Sequence, residues 1–163
     1  MNKRDIVIGF IILAVVAGII YFVRRPKVTP IVTPTPGVEE QIESKFNTVI
    51  PDDTQRAELK DATGGASSGI AARKFENGKF NLTVLADLPD LTSGEVYEVW
   101  LVRGKTGDPS YSIIAIGAMQ IAKGGYLLDF SANKDYSDYQ QVVISLETKL
   151  TNIPQKSVLE GSF

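Results

Sequence analysis

The sequence predicts an all-β chain: an antiparallel β-sandwich of about seven strands, preceded by one N-terminal transmembrane helix. Three observations carry this reading. From Ile6 to Val23, eighteen consecutive residues carry no charge. From Pro26 to Gly37 the chain is rich in proline and threonine. From about Arg56 onward apolar residues recur at period two, with turn residues punctuating them every ~8–12 positions, the signature of short antiparallel strands.

Taken in order, residues 1–5 read as a short cytoplasmic tail and 6–23 as the transmembrane helix. At 1.5 Å per residue that run makes a helix of roughly 27 Å, close to the ~30 Å hydrocarbon core of a bilayer. The run ends in Tyr21-Phe22-Val23-Arg24-Arg25-Pro26, a poor context for signal cleavage, so the sequence points to a retained anchor. Within it, Ala14 and Gly18 are a small-xxx-small pair suited to helix pairing. Basic residues flank both ends (Lys3 and Arg4; Arg24, Arg25 and Lys27), so the positive-inside count does not orient the helix. Residues 24–55 form a proline/threonine-rich stalk and linker, which favours an extracytoplasmic domain. The expected location is the cell membrane, single-pass, with the N-terminus cytoplasmic and the globular domain outside.

Within 24–55, Val38 to Phe46 fits either a short helical turn or the end of the stalk. The domain proper is expected over 56–163. Asn77-Gly78 is a hairpin turn signal, with Gly69 to Phe75 before it and the alternating Phe80, Leu82, Val84 and Ala86 after it. Tyr97 to Val102 is apolar on nearly both faces and reads as a central strand. Ile113 to Ile121, Tyr126 to Phe130 and Gln141 to Leu146 follow, with Gly124-Gly125 as a tight turn, and Val158-Leu159 closes the set. The expected core is Leu82, Val84, Tyr97, Val99, Leu101, Ile114, Ile116, Leu128, Phe130, Val142, Ile144 and Leu146.

Charge and composition exclude several functions. The chain has 17 basic and 19 acidic residues; the anchor region holds five and one of these, leaving 12 and 18, a formal −6 on the remainder. That is the wrong sign for a nucleic-acid partner. With no histidine and no cysteine, the usual zinc ligands and Ser-His or Cys-His pairs are missing. No enzyme activity, cofactor or metal is expected. The acidic residues sit mostly in turns such as Asp52, Asp90, Asp108 and Asp135, where turn chemistry accounts for them. Asn133 to Asp138 lacks the ligand spacing of a calcium loop. Gly64 to Gly69 lacks the lysine and the following helix of a phosphate loop. Trp100, the one tryptophan, reads as a core aromatic rather than a partner contact. For Glu147 two readings stand side by side: a solvated strand end, or a carboxylate accepting backbone amides.

Several segments together resemble one family. Leu88-Pro89, Gly94 and Tyr97-Glu98-Val99-Trp100-Leu101-Val102, then Gly117, Ser145-Leu146-Glu147, Pro154 and Gly161 are similar to the pattern of the C-terminal, extracytoplasmic domain of anti-sigma-K-type factors. The resemblance implies a β-sandwich outside the membrane on a single transmembrane helix, with these signature residues serving structure. In that family a cytoplasmic N-terminal domain holds the sigma factor; here only Met1 to Asp5 precede the anchor, so no sigma-binding capacity is expected of this chain alone. The expected function is a membrane-anchored, non-catalytic interaction or sensing module with a protein partner. The alternatives are a split signalling component working with a separate sigma-binding protein, and an envelope ligand-binding or structural domain.

Overall fold

The computed structural model describes residues 36–149 and 151–163. The chain enters through helix α1 (Val38–Phe46). Nine strands follow: β1 (Gln55–Asp61), β2 (Ser68–Glu76), β3 (Lys79–Asp87), β4 (Val96–Arg103), β5 (Ser112–Ala118), β6 (Gln120–Ala122), β7 (Gly125–Ala132), β8 (Gln141–Glu147) and β9 (Lys156–Ser162). All nine belong to one sheet in the order β5-β4-β8-β9-β1-β2-β3-β7-β6, every neighbouring pair antiparallel.

The expected seven-stranded sandwich is therefore corrected to a single nine-stranded sheet curled into a nearly closed barrel. Two features of the chain account for the difference. The run Ile113 to Ile121 is not one strand: it breaks at Met119 into β5 and β6, which pair with opposite ends of the sheet. One continuous segment thus bridges the seam. The bend is prepared by a β-bulge where Val99 and Trp100 meet Gly117 and Ala115, with Gly117 at φ 149°, a backbone region that favours glycine. The Met119 amide then bonds the Tyr97 carbonyl at 2.8 Å. The second feature is β1, whose sequence QRAELKD offers only Ala57 and Leu59 to the interior while its other positions are polar.

Inside the curl lies the main core, where Leu59, Phe80, Leu82, Val84, Tyr97, Val99, Leu101, Val142, Ile144 and Leu159 are buried. The twelve core positions expected from alternation all belong to this cluster or pack directly against it. At one end Phe80, Phe130, Tyr136 and Tyr139 meet edge to face, with centroids 5.5–6.5 Å apart. The buried Arg73 guanidinium lies 3.8 Å from the Phe163 ring centroid in the same region. The β2–β3 hairpin turns at Asn77 and Gly78 (φ 52° and 75°), the left-handed pair of a two-residue turn.

Among the described residues no helix is long and apolar enough to cross a membrane. The nine residues of α1 span about 14 Å. The transmembrane helix expected at 6–23, with Ala14 and Gly18, lies outside the described residues. The expected single-pass, extracytoplasmic location is corrected accordingly, since no described helix supplies it with a membrane-crossing element.

Candidate functional site

Alternation places one set of strand side chains inside the curl and the other outside, and two stretches of the outer face are buried as well. The first lies on β2, β3 and β7. Ile70, Ala72 and Leu85 point outward there and form a second apolar cluster with Ile42 of α1 and Ile50 of the segment that follows. Helix α1 suits this position. Glu39 and Glu40 in its first turn and Lys45 in its last oppose the helix dipole, and Ile42 is its buried contact.

The segment after α1 is tied down at several points. Asn47 ends the helix in the left-handed conformation (φ 52°). The Ile50 amide donates to Glu43 Oε1 at 2.6 Å. Arg56 of β1 reaches Glu39 Oε1 at 2.5 Å, the Ile50 carbonyl at 3.0 Å and Asp52 Oδ1 at 3.0 Å. Lys45 pairs with Asp87. The Gly124-Gly125 pair, expected as a turn, also allows a close approach. A Cβ at Gly124 would stand 2.5 Å from the Lys45 carbonyl oxygen, and one at Gly125 would stand 3.1 Å from the Phe46 ring.

Between this pinned segment and the sheet runs a groove of about 640 Å³. Ala72, Leu85 and Leu127 contribute its apolar lining with Phe46 and Ile50, and Lys74, Lys123 and Asp129 bring charge. Val49, another lining residue, is 81% exposed. Lys74 is already engaged by Asp53 and Glu76, each at 2.7 Å, which holds the Asp53 carboxyl below its usual range and the Lys74 ammonium above its own. Thr83 donates to Asp129 at 2.6 Å. The groove is lined by apolar and polar side chains together, with Arg73, Lys74 and Lys123 facing it alongside Asp53 and Asp129, a mixture suited to a binding surface.

The second buried outer stretch belongs to β4 and β8 and is polar. Trp100 is fully buried and its indole N–H donates to Ser145 Oγ at 2.7 Å; the Ser145 hydroxyl donates to Glu147 Oε1 at 2.5 Å. The Gln155 amide donates to the same carboxylate oxygen at 2.8 Å. Glu147 is thus no solvated strand end: it is fully buried and accepts a backbone amide. Glu98, opposite Ser145, is 5% exposed, and burial first, then the Glu147 charge, raises its carboxyl above the ordinary range.

The remaining signature residues have local packing roles. Leu88, Tyr97 and Leu101 lie in the main core, and Leu146 packs against it. The Tyr97 hydroxyl donates to the Pro89 carbonyl at 3.1 Å. Gly94 (φ 88°) sits in the turn closed by the Glu95 amide on the Thr92 carbonyl. Gly161 lies so close to the Glu58 carbonyl that a side chain would collide with it. Pro154 lines a smaller hollow of about 410 Å³ on the β4–β8–β9 side, with Val102, Tyr111 and Val143.

The residues that line the groove were not singled out from the sequence. The signal available was Leu85, an outward position between Thr83 and Asp87, and the consecutive Leu127-Leu128, which cannot both face the same core. Among the described residues, no three acidic side chains gather as a metal cluster.

No curated protein and no solved structure matches this chain. The family model for the anti-sigma-K factor RskA, C-terminal, matches residues 8–155. That span holds α1, the groove and both glutamates of the β4–β8 network, and on it the chain belongs to the anti-sigma-K factor RskA C-terminal family.

Proposed function

We propose that this anti-sigma-related domain is a non-catalytic interaction module that docks a protein partner in the groove beside α1. The groove itself carries the reading: an apolar patch of Ala72, Leu85 and Leu127 beside the exposed Val49, on a segment pinned by Arg56 and Glu43. A preformed surface of this kind binds without the cost of ordering a loop. A role without catalysis is supported by the absence of histidine and cysteine, and by the burial of Glu98 and Glu147, which leaves them little access to a substrate. The partner we favour is a component of sigma-factor regulation, as the family implies, with an apolar side chain seated between Val49 and Leu127.

Crosslinking of the full chain through lysines, followed by mass spectrometry, tests this. Crosslinks from Lys45, Lys74 and Lys123 to one protein, lost in Val49→Asp, are expected. Crosslinks clustered away from this face, unchanged by that substitution, would sink the reading. A second reading, a small apolar ligand in the same groove, is favoured by one observation: the volume lies within the ~300–1,000 Å³ typical of small-molecule sites. A thermal-shift screen separates the two, because a ligand of that class raises the melting temperature without any protein partner.

A further inference from the structure

The β4–β8 network contains a group that neither packing nor the groove explains. On antiparallel β4 and β8, Glu98 stands opposite Ser145, and Glu147 stands two residues further along, opposite Val96. The two glutamates are therefore diagonal neighbours on one outward face, their backbone positions about 7–8 Å apart. Each has an Oε2 that is buried and has no hydrogen-bond partner. Two unpaired carboxylates so placed cannot both stay charged cheaply, because burial and like charge both oppose ionisation.

Their surroundings divide the roles. Glu147 accepts from the Ser145 hydroxyl and the Gln155 amide, both at Oε1. Among the described residues nothing donates to Glu98 Oε2, and burial of the carboxyl favours a neutral acid. The flanking elements bring no compensating cation. Ala118 of β5 faces Glu98, and β5 has no ionisable side chain. Strand β9 brings Lys156 and Glu160, the turn before β4 brings Glu95 and the connection after β8 brings Lys149; none forms a salt bridge with the pair among the described residues.

We propose that Glu98 is a proton-binding site, a neutral carboxylic acid held beside Glu147, and that its occupancy is reported through Ser145 to Trp100. The site lies on β4 and β8 and stands whether or not the groove docks a partner. Proton release places a negative charge next to Glu147, strengthening the demand of that carboxyl group on the Ser145 hydroxyl and perturbing the indole bonded to it. The sign of the linkage is fixed. The native state keeps a proton that the unfolded chain loses above about pH 4.3, so the stabilisation is complete below that value and is lost as pH rises through the raised Glu98 titration.

The test is a carboxyl-detected NMR titration of the full chain over about pH 4 to 9, alongside urea unfolding followed by the fluorescence of Trp100, the one tryptophan. Glu98 is expected to titrate above the ordinary glutamate range, and Trp100 emission to shift with the same midpoint. Glu98→Gln should flatten the decline of the urea midpoint with pH. Glu147→Gln should move the Glu98 titration down, changing the folded-to-unfolded ratio about tenfold per unit moved. Ser145→Ala should remove the emission shift while Glu98 still titrates above the ordinary glutamate range. An ordinary Glu98 titration overturns the proposal. So does stabilisation at neutral pH by calcium or magnesium that Glu98→Gln abolishes, since a cation would then be neutralising the pair. Should either glutamine variant fail to fold, the wild-type titration still decides.

Discussion

The domain covers its outer sheet surface in two opposite ways. On β2, β3 and β7 the cover is apolar: Ile42 of α1 and Ile50 settle on Ile70, Ala72 and Leu85. On β4 and β8 the buried outward positions include Glu98, Trp100, Ser145 and Glu147, joined in part by directed hydrogen bonds. The first draws its stability from area removed from water and tolerates a change of shape. The second depends on complete satisfaction of polar groups, so one lost partner leaves another group unpaired at a disproportionate cost. An apolar cover can border an open groove, as α1 does; a polar network has to be sealed.

The largest expected effect separates the two. Trp100→Ala removes a fully buried aromatic side chain from the polar region and also leaves Ser145 without its indole donor. A loss of about 3–5 kcal/mol is expected, enough to threaten folding of a domain this size. Urea unfolding followed by far-UV circular dichroism checks it, and a loss below ~1 kcal/mol would mean that the network is dispensable.

Next comes Ile42→Ala, the corresponding cut in the apolar region. Ile42 is 1% exposed and is the buried residue of α1. A loss of about 2–4 kcal/mol is expected, and hydrogen exchange should locate it as selective opening of α1 rather than of the barrel. Equal loss of protection in β4 and β8 would show that the two regions open as one unit.

The difference between these regions also explains which parts of the molecule were legible in the sequence. Inward positions alternate strictly, so the core from Leu82 to Leu146 follows from period two alone. Alternation is silent on closure. Sandwich and barrel share the same inward pattern, and the distinction rests on Met119, where one strand changes its pairing partner. Strand β1 escaped because Ala57 and Leu59 are a faint apolar signal between Arg56, Glu58 and Lys60. The groove depends on α1 folding back over the sheet, a long-range contact that VEEQIESKF, with its weak periodicity, does not announce. Family resemblance marked Glu98, Trp100, Ser145 and Glu147 as a set, yet only the register brings them to one face.

A finer cut tests the polar side. Ser145→Ala deletes one hydroxyl, leaving the Trp100 N–H buried without an acceptor and Glu147 with one donor fewer. A loss of about 1–3 kcal/mol is expected, out of proportion to the atom removed. A cost within ~0.5 kcal/mol would mean that the indole finds another acceptor, and the contrast between the regions would weaken.

The smallest stability effect is expected where the functional effect is largest. Val49 is 81% exposed, and the backbone around it is fixed by Glu43 at Ile50 and by the Thr48 amide on the Glu43 carbonyl at 3.1 Å. Val49→Asp removes almost no buried area and breaks none of those bonds, so unfolding should move by no more than ~0.5 kcal/mol. The same substitution puts a charge at the edge of the groove, where a docked apolar side chain would have to desolvate it, and partner capture should fall by tenfold or more, about 1.4 kcal/mol. Unchanged stability with lost capture assigns binding to the apolar region. Unchanged stability with unchanged capture moves it to another face, and the hollow beside Pro154 and Tyr111 then becomes the surface to probe.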